Sequence, residues 1–395
     1  FDNPQNVEYA KIPYEVNDCE KHREFAQKVA RETIVLLRNE GNILPLSKNV
    51  KKIAIIGPNA DNLDCLLGNY NGTPSQYITP LTGIKNLVSE NTNVEYVKGC
   101  DLTDDSEEEF KEAVEVAENA DIVLLFMGIS PKLEGEERRL SGLDDRQKLD
   151  LPMIQQRLLR KVFEVNKEII LTICNGSPIS LNWASKNVPA IIESWYPGQE
   201  GGTAIAKVIF GDYSPAGRLP ITIVKSVEDL PPFEDYNMKG RTYRYLEKEA
   251  LYPFGFGLSY SEFRYRNVII SSEEVQIGES VSISAEIENI GEYDSDEVIQ
   301  LYIKHLDSEF GVKNHQLIGI KRMFLKKDEI RNTKFKIKPR QMALINNEGK
   351  CILEPGRIRL YLGGTQPDKR SSELTGKMPL SFEILVAGNR QEIEY

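Results

Sequence analysis

The sequence contains few of the residues from which metal and redox sites are usually built. Its 395 residues include three histidines and five cysteines. The cysteines, at positions 19, 65, 100, 174 and 351, show no C-x-x-C spacing, and their odd number argues against a full disulfide framework. We therefore expect buried free thiols and no metal site.

A basic surface and a membrane segment are also missing. The formal net charge of −11 argues against nucleic acid and anionic membranes as partners, and it is compatible with a neutral substrate such as a sugar. No apolar stretch approaches the ~20 residues of a membrane span, and no signal sequence opens the chain. We expect a soluble protein of bacterial type, and its compartment, cytoplasmic or periplasmic/secreted, stays unknown. Its oligomeric state stays open, a homo-oligomer included.

The first part of the chain alternates apolar, strand-like runs with helical segments. Helical spacing begins at Asn17 and continues through Leu37. The runs that predict strands cover residues 52–58, 94–98, 121–128, 168–175, 190–195 and 219–224. This alternation predicts an α/β domain over 17–225, with a mostly parallel sheet of about six strands and helices on both faces, after a polar arm over 1–16.

The pattern changes after residue 225. Residues 226–262 are rich in proline, glycine and aromatic side chains, and we interpret them as a connector that packs against a surface. From about Phe263 to residue 395, short alternating runs are separated by turn signals, which predicts a β-sandwich. Because no Cys…Trp…Cys pattern is present, the sandwich should be of the fibronectin type III kind.

The most distinctive polar stretch is Leu133-Glu-Gly-Glu-Glu-Arg-Arg139, which follows the apolar run 121–127. Such a run is typical of a strand buried on both faces, so the acids should lie on the loop at its carboxyl end, where open α/β sheets bind ligands. Carboxyl groups this close repel one another, which raises a pKa as a general acid requires. The alternative is a solvated charged loop. No glycine-rich phosphate loop follows the first strand, so a flavodoxin-like nucleotide binder is disfavoured and no cofactor is expected.

Several longer motifs resemble the C-terminal half of glycoside hydrolase family 3. They are Trp195-Tyr-Pro-Gly-Gln-Glu-Gly-Gly-Thr-Ala-Ile-Ala, Phe210-Gly-Asp-Tyr-Ser-Pro-Ala-Gly-Arg-Leu-Pro220 and Tyr252-Pro-Phe-Gly-Phe-Gly-Leu-Ser-Tyr260. Leu67-Gly-Asn-Tyr-Asn-Gly and Arg241-Thr-Tyr-Arg-Tyr245 are similar to the β-xylosidase and α-L-arabinofuranosidase branch more than to typical β-glucosidases. The resemblance implies a retaining exo-acting glycosidase that takes a small saccharide such as a xylo-oligosaccharide.

The resemblance also implies a division of the catalytic residues. The family's nucleophile is an aspartate on an N-terminal (β/α)8 barrel, and no position of this sequence matches it. The acid/base lies in the α/β domain, and Glu136 matches its pattern best, followed by Glu134 and then Glu137. Arg146 is expected to bind substrate or to pair with loop carboxylates, or else to be a solvated arginine. A non-catalytic carbohydrate-binding or scaffold protein is the alternative function.

Overall fold

The computed structural model describes residues 3–134, 146 and 148–394. In the first part of the chain the strands are β1 (Val35–Asn39), β2 (Lys52–Ile56), β3 (Asn93–Val97), β4 (Ile122–Gly128), β5 (Ile169–Cys174) and β6 (Ala190–Glu193). The helices are α1 (Glu20–Thr33), α2 (Pro80–Leu87), α3 (Phe110–Glu118), α4 (Pro131–Glu134), α5 (Met153–Val165), α6 (Ala184–Asn187), α7 (Gly201–Ile209) and α8 (Thr242–Tyr245). Short 3-10 helices lie at Pro4–Asn6, Glu8–Lys11, Tyr14–Val16, Glu40–Asn42, Leu63–Cys65 and Val227–Asp229.

The six strands form one sheet in the order β1-β6-β5-β4-β2-β3. Strands β3, β2, β4, β5 and β6 pair in parallel, and β1 alone is antiparallel to its neighbour β6. All seven residues of β4 are buried, because helices cover both faces of the sheet. The predicted fold class, a mostly parallel α/β domain of about six strands followed by a β-sandwich, is confirmed.

Two of the predicted elements are wrong. The helix expected to run through Leu37 ends at Thr33, and Val35–Asn39 is the edge strand β1. Residues 34–37 are all buried, and they alternate between the hydrophobic clusters on the two faces of the sheet, which is the period of a strand. Branched side chains at residues 33–35 favour the extended conformation for the same reason that they weaken a helix.

The strand expected over 219–224 is the second error. The segment makes an isolated bridge between Ile223 and Tyr252, and the Leu219 amide donates to the Phe256 carbonyl. These contacts fold the segment onto the connector, outside the main sheet. The connector itself packs as predicted, because Tyr252 and Phe256 are buried in the core beside the sheet.

The remaining strands form a β-sandwich with its own hydrophobic core. One sheet has the order β11-β10-β15-β16-β8, a second has β12-β9-β7, and a small third sheet has β13-β14-β17. The strands are β7 (Phe263–Ile270), β8 (Glu274–Gln276), β9 (Val281–Asn289), β10 (Ser295–His305), β11 (Gln316–Leu325), β12 (Ile330–Ile337), β13 (Leu344–Ile345), β14 (Cys351–Leu353), β15 (Gly356–Gly363), β16 (Leu380–Ala387) and β17 (Gln391–Glu392). Helix α9 (Lys369–Thr375) and a 3-10 helix at Pro339–Met342 complete it. The domain boundaries at 16/17, 225/226 and 262/263 stay predictions.

A buried ion pair joins the two parts of the chain. Arg218 of the α/β part lies 3.2 Å from Glu297 on β10, with side-chain exposures of 8% and 4%. Tyr265 donates its hydroxyl proton to the other oxygen of the Glu297 carboxylate, at 2.6 Å. Arg218 also donates to the Gly364 carbonyl. Each charge is compensated by the other and by hydrogen bonds, which a buried pair needs in order not to destabilise the fold.

We expect the loss of one partner of this pair to be costly. Arg218→Met should lower the free energy of unfolding by roughly 3–5 kcal/mol, because it leaves the Glu297 carboxylate buried without its counter-charge. Urea denaturation followed by circular dichroism measures the change. The double variant Arg218→Met/Glu297→Met should recover part of the lost stability. Arg357→Met is the control, because it breaks an exposed pair with Asp307 and should change stability far less.

Candidate functional site

The site is built where β4 and β5 end side by side. Gly128, the last residue of β4, lies opposite Cys174, the last residue of β5. A Cβ atom on Gly128 would lie 2.0 Å from the Cys174 carbonyl oxygen, so only glycine permits this approach. The buried Gln155 side chain accepts a hydrogen bond from the Gly128 amide and donates one to its carbonyl, both at 2.8 Å. These contacts fix the point at which the chain leaves β4.

Helix α4 then carries the chain to the first of the predicted acids. Glu134 is the last residue of α4, and its side chain reaches across to the turn after β5. Its Oε1 accepts three hydrogen bonds, from the Gly176 amide at 2.8 Å, the Ser177 amide at 2.7 Å and the Ser177 hydroxyl at 2.9 Å. Glu134 is therefore attached to the turn at 176–177 and not free on the surface.

The Arg146 side chain contacts the same turn. Its Nη1 donates to the Ser177 hydroxyl oxygen at 2.9 Å and to the Pro178 carbonyl at 3.1 Å, and its Nη2 lies 3.5 Å from the Asp150 carbonyl. Burial lowers the pKa of the Arg146 guanidinium, and the negative charge of Glu134 opposes that shift. The structure thus brings Glu134 and Arg146 together around Ser177. The other two predicted acids, Glu136 and Glu137, lie outside the described residues.

Tyr196 completes the surroundings of the Glu134 carboxylate. Its hydroxyl is buried, and no group within the described ranges meets it in hydrogen-bond geometry. Burial and the nearby Glu134 charge raise the pKa of Tyr196 well above its usual value. Gly176 leaves the space that both side chains occupy, since a Cβ there would lie 2.7 Å from the Tyr196 ring and 2.8 Å from Glu134 Oε2. The phenol therefore faces the carboxylate in its neutral form.

Sequence reasoning missed the part played by Gly176, Ser177 and Tyr196. The signal was present, because both Cys174-Asn-Gly-Ser-Pro178 and Trp195-Tyr-Pro-Gly198 read as small-residue turns at the carboxyl edge of the sheet. Which side chains meet there depends on strand order and register. Those are tertiary properties, and a turn motif does not encode them.

The part of the chain that the structure describes was searched for metal-binding clusters and for membrane-spanning helices. No group of three or more His, Cys, Asp or Glu side chains there could hold a metal ion. None of the helices within residues 3–134 and 148–394 is long and apolar enough to cross a membrane. The five cysteines are free thiols, four of them buried.

Comparison with known families decides which family the chain represents. The model for the glycosyl hydrolase family 3 C-terminal domain matches residues 34–260. The chain belongs to glycosyl hydrolase family 3. A fibronectin type III-like domain model matches residues 297–366, within the β-sandwich. The resemblance stated from the motifs is confirmed.

Named relatives of this family 3 chain are glycosidases of about twice its length. A β-xylosidase of Formosa agariphila is 35% identical over 372 residues, which cover 91% of this chain and 51% of that protein. A periplasmic β-glucosidase of Salmonella typhimurium is 33% identical, with coverages of 87% and 48%. A solved family 3 exo-β-xylosidase, in complex with a xylobiose aziridine activity-based probe, is 26% identical, with a TM-score of 0.85 and coverages of 98% and 51%. The chain thus spans about half the length of the relatives it matches.

A second acid, Glu193, is buried at the end of β6. Both of its carboxyl oxygens are buried, and within the described residues neither has a partner in hydrogen-bond geometry. Burial raises the pKa of Glu193 well above its usual value; the neighbouring Cys174 adds to the rise, and the Trp195 backbone and the Asn175 side chain oppose it. Burial of an acid without a counter-charge favours its protonated form.

We expect Glu193 to make the stability of the fold depend on pH. Below a pH of about 4.5, its usual pKa, the group is protonated in both the folded and the unfolded chain. As the pH rises from there toward the folded-state pKa, only the unfolded chain ionises, so the parent loses stability. Glu193→Gln removes this ionisation and should therefore stabilise the chain, relative to the parent, increasingly as the pH is raised from about 4.5. Urea unfolding across that pH range measures the difference.

The control for this measurement is Glu109→Gln. Glu109 is exposed, and its Oε2 accepts a hydrogen bond from the Gly99 amide. Its variant should show no gain in stability that grows over the same pH range. If Glu193→Gln and the parent respond equally to pH, the carboxyl of Glu193 is not held neutral by burial.

Proposed function

We propose that this chain is the C-terminal portion of a retaining, exo-acting glycoside hydrolase that acts as a β-xylosidase. The observation that carries the proposal is the acidic loop that begins at Glu134, at the carboxyl end of β4, in a chain that belongs to family 3. Named relatives that include β-xylosidases support the same activity. A small saccharide, a xylo-oligosaccharide or another β-glycoside, is the substrate class proposed for this site.

Two catalytic carboxyl groups are needed, about 5–5.5 Å apart, for hydrolysis with retained configuration. We assign the proton donor to Glu136 in this chain and the nucleophile to an aspartate on a (β/α)8 barrel of the same enzyme. The contacts of Glu134 support this choice, because its Oε1 already accepts three hydrogen bonds from the turn at 176–177. A carboxyl group used in that way is poorly suited to protonate a leaving group. Glu136 comes two residues after Glu134, so the Cα atoms of the two residues can be at most about 7 Å apart. Glu137 is the next candidate.

The branch of the family is a separate part of the proposal. The motifs at 67–72 and 241–245 favour a β-xylosidase, with α-L-arabinofuranosidase or β-glucosidase as further activities. Relatives with β-glucosidase names are 31–33% identical, and a Bifidobacterium longum relative is named as an exo-α-(1→6)-L-arabinopyranosidase. The sugar is therefore best tested directly, with aryl β-xylosides, β-glucosides and α-L-arabinofuranosides side by side.

The first expectation concerns this chain alone. Without a nucleophile and an oriented sugar, proton donation supplies only a small part of the barrier reduction, so the isolated chain should hydrolyse aryl xylosides no faster than background. Mixing it with its barrel should produce turnover, which release of the aryl alcohol measures. If the purified chain alone is active and substitutions confined to it abolish that activity, the assignment of the nucleophile to the barrel is wrong. If the mixture binds sugar without turnover, the chain belongs to a carbohydrate-binding protein.

The second expectation concerns Glu136 in the complete enzyme. If Glu136 protonates the departing oxygen, Glu136→Ala should slow the hydrolysis of xylo-oligosaccharides by about 10²–10⁴-fold. The leaving group of an activated aryl glycoside departs without protonation, so the first step on these substrates should be much less affected. The second step should still be slow, since the same residue then activates the attacking water. Azide should therefore restore turnover of the activated substrate and give a glycosyl azide of retained configuration.

The matched variants for this experiment are Glu134→Ala and Glu137→Ala. Neither should respond to azide if Glu136 is the acid/base. A Glu136→Ala enzyme that is equally impaired on both substrates and insensitive to azide would transfer the role to one of the other two acids.

A further inference from the structure

The connector covers part of the outer face of the five-stranded sheet and leaves a cavity beside it. Gln300 of β10 is buried under the connector, because its side chain donates to the Gly255 carbonyl at 2.9 Å. Lys304 is four positions further along the same face of β10, and it lines a cavity of about 360 Å³. Residues 243–250 and 366–370 line the same cavity. Its volume is within the range of sites that bind small molecules.

The walls of this cavity are held by hydrogen bonds within the chain. The Asn314 side-chain amide donates to the Tyr243 and Leu246 carbonyls, both at 3.0 Å. On the other segment, Arg370 Nε donates to the Leu251 carbonyl at 3.3 Å. Both contacts tie the connector to the β-sandwich around the cavity. The cavity is therefore formed before any ligand binds, as most small-molecule sites are.

Lys304 is a cation without a counter-charge. No carboxylate of the described residues forms an ion pair with its ammonium group, and Arg359, which lies opposite it on β15, pairs with Glu383. The other charges along the cavity cancel in number: Lys369 and Arg370 against Asp368 and Glu373, Lys248 against Asp229, Lys313 against Glu247, and Lys225 against Glu249. The cavity thus has an excess of positive charge on a chain whose formal net charge is −11, which favours an anionic ligand.

His315 offers a second kind of contact. Its side chain is buried and lines the cavity, and its Nε2 lies 3.2 Å from Gln366 Oε1. Because the amide oxygen accepts, Nε2 carries the proton, and Nδ1 is an acceptor in the neutral ring. Burial lowers the pKa of His315, which favours that neutral form, although the hydrogen bond to Gln366 opposes the shift. No described group meets Nδ1 in hydrogen-bond geometry, so a hydroxyl donor can still pair with it.

We propose that this cavity binds a sugar acid of monosaccharide size, with its carboxylate on Lys304 and one of its hydroxyl groups on His315 Nδ1. A neutral sugar would leave the charge of Lys304 unpaired, and an inorganic anion would leave the acceptor on His315 unused. A ligand that combines one anionic group with hydroxyl donors uses both. None of the residues that contact Glu134 lines the cavity, so the inference does not rest on the proposed function.

Binding to the 395-residue chain tests this site directly. Ligand-observed saturation-transfer NMR gives the Kd of glucuronic acid, with glucose as the matched neutral sugar and inorganic phosphate as the competing anion. Glucuronic acid should bind roughly 10–100-fold more tightly than glucose, because its carboxylate alone takes a charged hydrogen bond from Lys304. Phosphate at an equal concentration should not displace it, because phosphate does not use His315.

Substitutions then locate the binding at Lys304. Lys304→Met should weaken the binding of glucuronic acid to the level of glucose, and Lys304→Arg, which keeps the charge, should retain most of the affinity. The matched control is Lys336→Met, which removes the same charge from an exposed position of β12 outside the cavity. It should leave the Kd unchanged. Circular dichroism checks that each variant is folded.

Each outcome decides a different part of the proposal. If glucuronic acid does not bind, or binds no more tightly than glucose, the site is overturned; this comparison uses the parent alone and holds even if Lys304→Met fails to fold. Displacement by an equal concentration of phosphate overturns the sugar-acid class. A Kd that is the same in Lys304→Met and the parent, or an equal loss in Lys336→Met, overturns the role of Lys304. Failure of the proposed glycosidase activity leaves these measurements unaffected, because they involve no hydrolysis.

Discussion

At the carboxyl edge of the sheet, β4 and β5 end side by side, and the position of the Glu134 carboxylate follows from this pairing. Gly128 and Cys174 approach so closely that a side chain at Gly128 would enter the neighbouring backbone. Because both chains leave the sheet at this point, the acid that follows β4 meets the turn that follows β5. Helix α4 is short enough to keep Glu134 within reach of that turn. A parallel sheet thereby turns two segments that are distant in sequence into one site.

Three acidic side chains of this chain show how the environment decides what a carboxyl group does. Glu134 accepts hydrogen bonds from two amides and a hydroxyl of the turn after β5. Glu297 is paired with an arginine and joins the two parts of the fold. Glu193 has neither kind of partner among the described residues, and burial raises its pKa. A general acid needs a fourth environment, in which a raised pKa is combined with access to the substrate.

Much of the fold could be predicted from the sequence, because most strands of the α/β part are short continuous apolar runs between helical patterns. The errors fell where local pattern and tertiary environment disagree. Residues 34–37 are compatible with a helix in spacing, and only the sheet beside them makes them a strand. The acidic loop was found because three acids follow a buried strand. The link through Ser177 could not be predicted in this way, because it depends on the register between two strands. The sequence of neither strand alone specifies that register.

The placement of β1 has a consequence for how the chain is made. This strand comes before the other five strands of its sheet along the chain, yet its partner in the sheet is β6, with Val35 opposite Glu193. During synthesis the apolar residues of β1 leave the ribosome before most of the domain, and they can pair with β6 only after that strand has been made. Such late closure slows folding and leaves an apolar edge open to other chains. The α/β domain should therefore complete its sheet only after β6 has left the ribosome. A truncation before residue 190 would leave β1 without its partner strand.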